Sequence, residues 1–124
     1  MAGVSGIYQA PAMRAATGAF IESVLAAILP PVREVARDHG YAIAVHGSLA
    51  RDIDLLACPW REDADPADEL VKSIVVVIGS ILGRCCQNGP VGIKPHGRRA
   101  YTLIHNGHIG EIDLSIMPIV TVEP

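Results

Sequence analysis

Apolar residues recur at helical spacing from Ala15 onward, where Phe20, Val24, Ile28, Val32 and Val35 make one stripe and Glu22 interrupts the opposite face. The pattern predicts a helix from about Met13 to Leu29. Pro30 and Pro31 cannot continue it, because proline lacks an N–H and its ring crowds the preceding turn. One of them is expected in the first turn of a second short helix that ends at His39-Gly40, where glycine suits a left-handed cap. Tyr41 to His46 is short and apolar, Gly47 to Arg51 is a tight connection, and Asp52 to Cys58 alternates, so the period changes from helix to strand, connection, strand.

A second helix signal begins at Asp65-Pro66, with Asp65 as the cap, Pro66 at the first helical position and Asp68-Glu69 favourable to the helix dipole. Its stripe is Leu70, Ile74, Ile78, Ile81 and Leu82, and Gly83 ends it. The Val- and Ile-rich run from Ser73 to Leu82 would also suit a strand, but the caps and the length decide for helix. Cys85 to Gly97 is expected to be connection. Arg99 to His105 and His108 to Met117 then read as two strands joined by a two-residue Asn106-Gly107 turn. The predicted class is α+β, a mixed β-sheet with helices packed on one face. Residues 1–12 are expected to be a flexible arm and residues 13–124 a single domain.

Composition narrows the function classes. The 124 residues carry 10 basic and 13 acidic side chains, a net charge of -3, which removes the sequence-independent phosphate attraction of a nucleic-acid binder. Five aromatic residues among 124 cannot assemble a platform of several stacked bases. Direct nucleic-acid binding is therefore disfavoured. Cys58, Cys85 and Cys86 have no metal-type spacing and read as reduced thiols of a cytoplasmic protein. The charge and prolines within the first apolar stretch favour a packed amphipathic helix over a signal peptide or membrane span.

The candidate chemistry lies in carboxylates. Alternate residues of a strand share a face, so Asp52 and Asp54 point together while Ile53 and Leu55 point to the core, and Glu111, Asp113 and Ser115 share a face opposite Ile112, Leu114 and Ile116. Each pair on its own suits a solvated strand face. Beside Gly47, which permits close backbone approach, convergence of the two pairs would crowd like charges and call for Mg²⁺ or Mn²⁺ shared with phosphate oxygens.

His46-Gly47-Ser48, followed by Asp52-Ile-Asp-Leu55 and the later Glu111-Ile-Asp113, resembles the core motif of the DNA polymerase beta-like nucleotidyltransferase superfamily, over about residues 41 to 117. The resemblance implies that Asp52 and Asp54 are a metal-binding pair, that Asp113 is the third carboxylate and a catalytic residue, and that Gly47 with Ser48 contacts phosphate. It further implies two metal ions with a nucleoside triphosphate, and transfer of a nucleoside monophosphate to a hydroxyl group. Only Leu49, Ala50 and Arg51 separate Ser48 from Asp52, fewer than family members usually have, and no segment remains to bind the acceptor. A protein partner or a second copy of the chain is expected to supply that surface. The competing reading is a nucleotide- or protein-binding module that keeps the fold. HGSLARDIDL, PW and KPHGRRAYTLIH also resemble a group of small phage-encoded proteins, which implies no activity.

Lys94, His96, Arg98 and Arg99 form the basic cluster. With a two-residue turn at Asn106-Gly107, Ala100 is expected opposite Asp113 and Arg98 opposite Ser115. Arg98 then serves either as a bidentate phosphate clamp or as a charge partner of Asp113 or Glu111. His46, His105 and His108 are explained by strand-end and hairpin positions. Trp60 is expected to anchor the strand-to-helix connection, and Cys58 to pack.

Overall fold

Thr17, Ile21, Val24, Ile28, Val32 and Ala36 are buried along one continuous helix, α1 (Pro11–Asp38), in a computed structural model that describes residues 10–106 and 110–120. The expected break at Pro30-Pro31 does not occur. Those prolines deny hydrogen bonds to the carbonyls of Ala26 and Ala27 four residues back, and both alanines lie on the exposed side, where water can take their place. The buried stripe meanwhile runs through the prolines without a change of phase. Packing on both sides of the interruption holds the halves on one axis. Phe20 and Val35, expected within the stripe, lie at its half-buried margin. By length and composition α1 would also suffice to cross a membrane.

The sheet follows from the strand alternation. Strand β1 (Tyr41–His46) pairs antiparallel with β2 (Ile53–Pro59), and β2 pairs parallel with the last described strand, β6 (Ile112–Ile116). Helix α2 (Ala67–Leu82) and the short strands β3 (Cys85–Gln87) and β4 (Gly92–Ile93) come between, followed by β5 (Arg99–His105), which pairs antiparallel with β6, β3 and β4. The order across the sheet is β1-β2-β6-β5-β3, with β4 also on β5. Ile53, Leu55, Ile112, Leu114 and Leu103 are fully buried on one face, and both helices cover it. Each such side chain taken out of water contributes about 1.5–3 kcal/mol before ordering costs. The expected α+β class, with a mixed sheet and helices on one face, is what the structure has.

Three local expectations change. The segment from Cys85 to Gly97 contains β3, β4 and a 3₁₀ turn (Pro95–Gly97), elements too short to leave a periodic signature. Asp65 does not cap α2: Pro66 occupies that place, and the Asp65 carboxylate bonds His39 instead. The far end conforms, with Gly83 at φ 91° donating its N–H to the Gly79 carbonyl. Finally, the β5–β6 register differs by two from that of a two-residue turn. Leu103 pairs with Ile112 and Thr102 with Asp113, so the connection is longer. Gly110, which leads towards β6, has φ 79°, and a Cβ there would lie 2.8 Å from the Arg51 carbonyl oxygen and press into Ile21. His108 and Gly107 lie outside the described residues, as does most of the expected N-terminal arm; Pro11 and Ala12, placed in that arm, are helical.

Candidate functional site

Neither helix covers the second sheet face, where Asp54, Asp113, Thr102 and Cys86 are half-buried or exposed. Asp54 faces His46 across β1 and Asp113 across β6, so the two carboxylates are neighbours on adjacent parallel strands, whose spacing is about 4.8 Å. The antiparallel hairpin from β1 to β2 brings Gly47 over Asp54. Its φ of +81° is unfavourable to other residues, and a Cβ at this position would collide with the Asp54 Oδ2 and stand 3.2 Å from Cγ. The backbone therefore approaches the carboxylate because residue 47 has no side chain.

The turn that follows is strained. Leu49 adopts φ 58°, a left-handed conformation that costs a branched residue about 1–2 kcal/mol, while Ala50 donates its N–H to the Ser48 hydroxyl at 3.3 Å. Leu49 is held by partial packing against the core. Its strain could not be read from residue type, because leucine carries no turn signal.

Asp52 lies just before β2 rather than within it. Its Oδ1 accepts the Glu111 N–H at 3.0 Å, while Ile53 donates its N–H to the Glu111 carbonyl, so the two acid-bearing segments are fastened by one side-chain and one backbone hydrogen bond. Three carboxylates act on Asp113. Burial pushes the Asp113 pKa above its ordinary value, and the charges of Asp52, Asp54 and Glu111, with a hydrogen bond to Asp54, push it further in the same direction. Every side chain shifting Asp113 is acidic.

Among the described residues, no group of three or more His, Cys, Asp or Glu side chains is arranged to hold a metal ion. In donor chemistry the residues fit a hard divalent cation: the ligands available are carboxylate oxygens, and their mutual repulsion has no cationic counterweight in the interactions that shift Asp113. Comparison with protein-family models, with curated proteins and with solved structures gives no match.

Arg98 stands elsewhere than the two-residue turn implied. It precedes β5, and Ala100 rather than Arg98 faces Ser115, so the Arg98 backbone is about 13 Å along the strand from Asp113. A different arginine borders the acidic patch. Arg84, Cys86, Ile104, Asn106 and Glu111 line a cavity of about 370 Å³ that adjoins the carboxylates through Glu111. The unrecognised pairing of β3 with β5 is what brings Arg84 there, so no spacing rule reveals it. Trp60, expected to anchor the strand-to-helix connection, is 56% exposed with the Arg61 guanidinium 5.0 Å from its ring centre, and its backbone N–H donates to the Gly40 carbonyl beside the Tyr41–Pro59 pair. Cys58 is half-buried and free, and His46 is exposed.

Proposed function

We propose that this protein is a metal-dependent nucleotidyltransferase that moves a nucleoside monophosphate from a nucleoside triphosphate to a hydroxyl acceptor. The observation that carries this reading is the pairing of Asp54 with Asp113 beneath the Gly47 backbone, in a patch where like charge accumulates. Asp54 and Asp113 are the residues that would hold Mg²⁺ or Mn²⁺, with Asp52 contributing the oxygen that the Glu111 amide does not take. Divalent ions supply charge neutralisation on the triphosphate and at the attacked phosphorus. Gly47 lets the main chain close over the Asp54 carboxylate, and Ser48, the next residue, presents a hydroxyl for a phosphate. Arg84 replaces Arg98 as the arginine adjoining the patch, and its cavity is of the size that small ligands occupy. Asp113 is assigned to the acceptor side, orienting the attacking hydroxyl. A partner or a second copy supplies the acceptor surface.

A binding module is the second reading, favoured by the Ser48 hydroxyl already accepting a bond within its own turn. Incubation with α-labelled nucleoside triphosphates, Mg²⁺ or Mn²⁺ and cell extract separates the two. The transferase reading expects label transfer that Asp54→Asn and Asp113→Asn abolish. Nucleotide binding by calorimetry without transfer supports the module, and folded protein that neither transfers nor binds removes both nucleotide readings.

A further inference from the structure

Where β1 begins, at the end remote from Gly47, three side chains from three segments form a relay within the helical layer. His39 follows α1, Asp65 precedes α2, and Ser73 lies within α2. The His39 Nδ1 is 2.7 Å from the Asp65 Oδ2, and its Nε2 is 2.9 Å from the Ser73 Oγ. A carboxylate can only accept, so the proton of the neutral imidazole resides on Nδ1, which leaves Nε2 to accept from the Ser73 hydroxyl. Asp65 is itself held by its backbone: its N–H donates to the His39 carbonyl at 2.9 Å, and its carbonyl accepts from the Tyr41 hydroxyl at 2.7 Å. Ser73 and His39 open onto a groove of about 430 Å³ between α1 and α2, whose apolar walls are Val35, Val76 and Val77 and whose cation is Lys72.

We propose that Ser73, His39 and Asp65 act as nucleophile, general base and positioning carboxylate in the hydrolysis of small apolar esters. The arrangement meets the geometric requirements for an activated serine: a base within hydrogen-bond reach, and a third group that fixes the tautomer of that base. The Ser73 Oγ bonds to the ester carbonyl carbon while its proton passes to the His39 Nε2. The bond from that carbon to the alcohol oxygen breaks, and the alcohol leaves with this proton. Water then attacks the acyl carbon, giving a proton to Nε2, and the acid is released as Oγ recovers it. Amides in the interior of α2 are committed to helical bonds, and Lys72, which lines the groove, is paired with Glu69 at 3.6 Å, so the groove gives the developing oxyanion little fixed help and turnover is slow. Acylation is accordingly the step to measure. This activity is separate from the carboxylate patch and does not rest on it.

The test treats the full chain with an alkyl fluorophosphonate, which forms an Oγ–P bond with loss of fluoride, and maps the adduct by mass spectrometry. A p-nitrophenyl butyrate burst is measured alongside. Ser80 is an internal control, since its hydroxyl donates to the Val77 carbonyl and has no histidine partner. The expected result is an adduct at Ser73 and none at Ser80, with Ser73→Ala losing both adduct and burst while melting within a few degrees of wild type. His39→Gln should slow labelling about 100-fold. Asp65→Asn should slow it about 10-fold or more under conditions where circular dichroism shows it folded, an effect that a merely structural strap would not produce. If His39→Gln does not fold, the adduct on wild type and the Ser73→Ala comparison still decide. Folded wild type without an adduct at Ser73, equal labelling of Ser80, or a folded Asp65→Asn labelled at the wild-type rate would each overturn the proposal.

Discussion

Replacing Asp113 by asparagine removes a charge from the crowded patch while keeping the shape of the side chain. In the divalent-free protein this should stabilise the fold, because Asp113 is both partly buried and surrounded by Asp52, Asp54 and Glu111. Two unit charges about 5 Å apart repel by about 0.8 kcal/mol in water and about 3 kcal/mol at an effective dielectric constant of 20. A half-exposed pair belongs towards the lower value, and the more distant acids are screened further. The expected gain is about 1–2 kcal/mol, with the asparagine amide able to donate to the Asp54 carboxylate, and a rise in Tm of about 3–8 °C for a chain of this size. Added Mg²⁺ should reverse the order. The wild type gains stability by mass action, about 2.7 kcal/mol at one hundred times Kd, while the variant has lost a ligand and gains less. Differential scanning fluorimetry of both proteins, with chelator and with Mg²⁺ or Mn²⁺, gives the comparison. An Asp113→Asn protein that melts below wild type in chelator, or two proteins equally stabilised by metal, would refute this account of the patch.

Gly47→Ala should lower Tm by several degrees, from a left-handed backbone cost of about 1–2 kcal/mol, and should weaken Mg²⁺ stabilisation because the new methyl displaces the Asp54 carboxylate; unchanged melting in both conditions would contradict it. Ile78→Asp should unfold the domain at ambient temperature as judged by circular dichroism, since residue 78 is fully buried and nothing pairs the charge. The raised pKa of Asp113 fixes a pH response. Between the ordinary value of 3.8 and the higher folded value the native state binds more protons, so acidification through the folded pKa relieves a penalty that is fully present at neutral pH. Chelated wild type should therefore gain stability relative to Asp113→Asn as pH falls across that window, and parallel pH profiles of the two melting temperatures would refute it.

Residue type and period revealed the layer architecture because apolar alternation and helical stripes are long signals. Alternation placed Asp54 and Asp113 each opposite the core side of its own strand, since Ile53, Leu55, Ile112 and Leu114 are apolar, but that the two strands are parallel neighbours was open until their pairing was seen. Register was not legible to the same degree. The observed pairing is two residues away from that of an Asn106-Gly107 turn, a shift that preserves every face while relocating Arg98 away from Asp113. Arg84 entered the cavity through the pairing of three residues in β3, too few to show a pattern. At Pro30-Pro31 a strong local preference gave way to burial of a stripe spanning 20 residues from Thr17 to Ala36. His39, Asp65 and Ser73 are separated by 26 and 8 positions, and only the packing of α1 beside α2 makes them neighbours.

Strand β6 lies between β2 and β5, so the last described strand completes the middle of the sheet rather than its edge. The order in which the chain can acquire structure follows from this. The segment holding α1, β1 and β2 has mainly local contacts, as does the one holding α2 and β3, whereas the parallel pairing of Asp54 with Asp113 must close a loop of 59 residues. Until β6 docks, β2 and β5 each present an unpaired apolar edge. A ribosome-bound chain halted before residue 112 should therefore be the species most prone to associate with other chains, and residence on a chaperone should fall once β6 emerges. Asp113 on the strand that fills this gap, with Glu111 just before it, also opposes mispairing with a second β6 edge, because like charges placed side by side would disfavour the wrong neighbour.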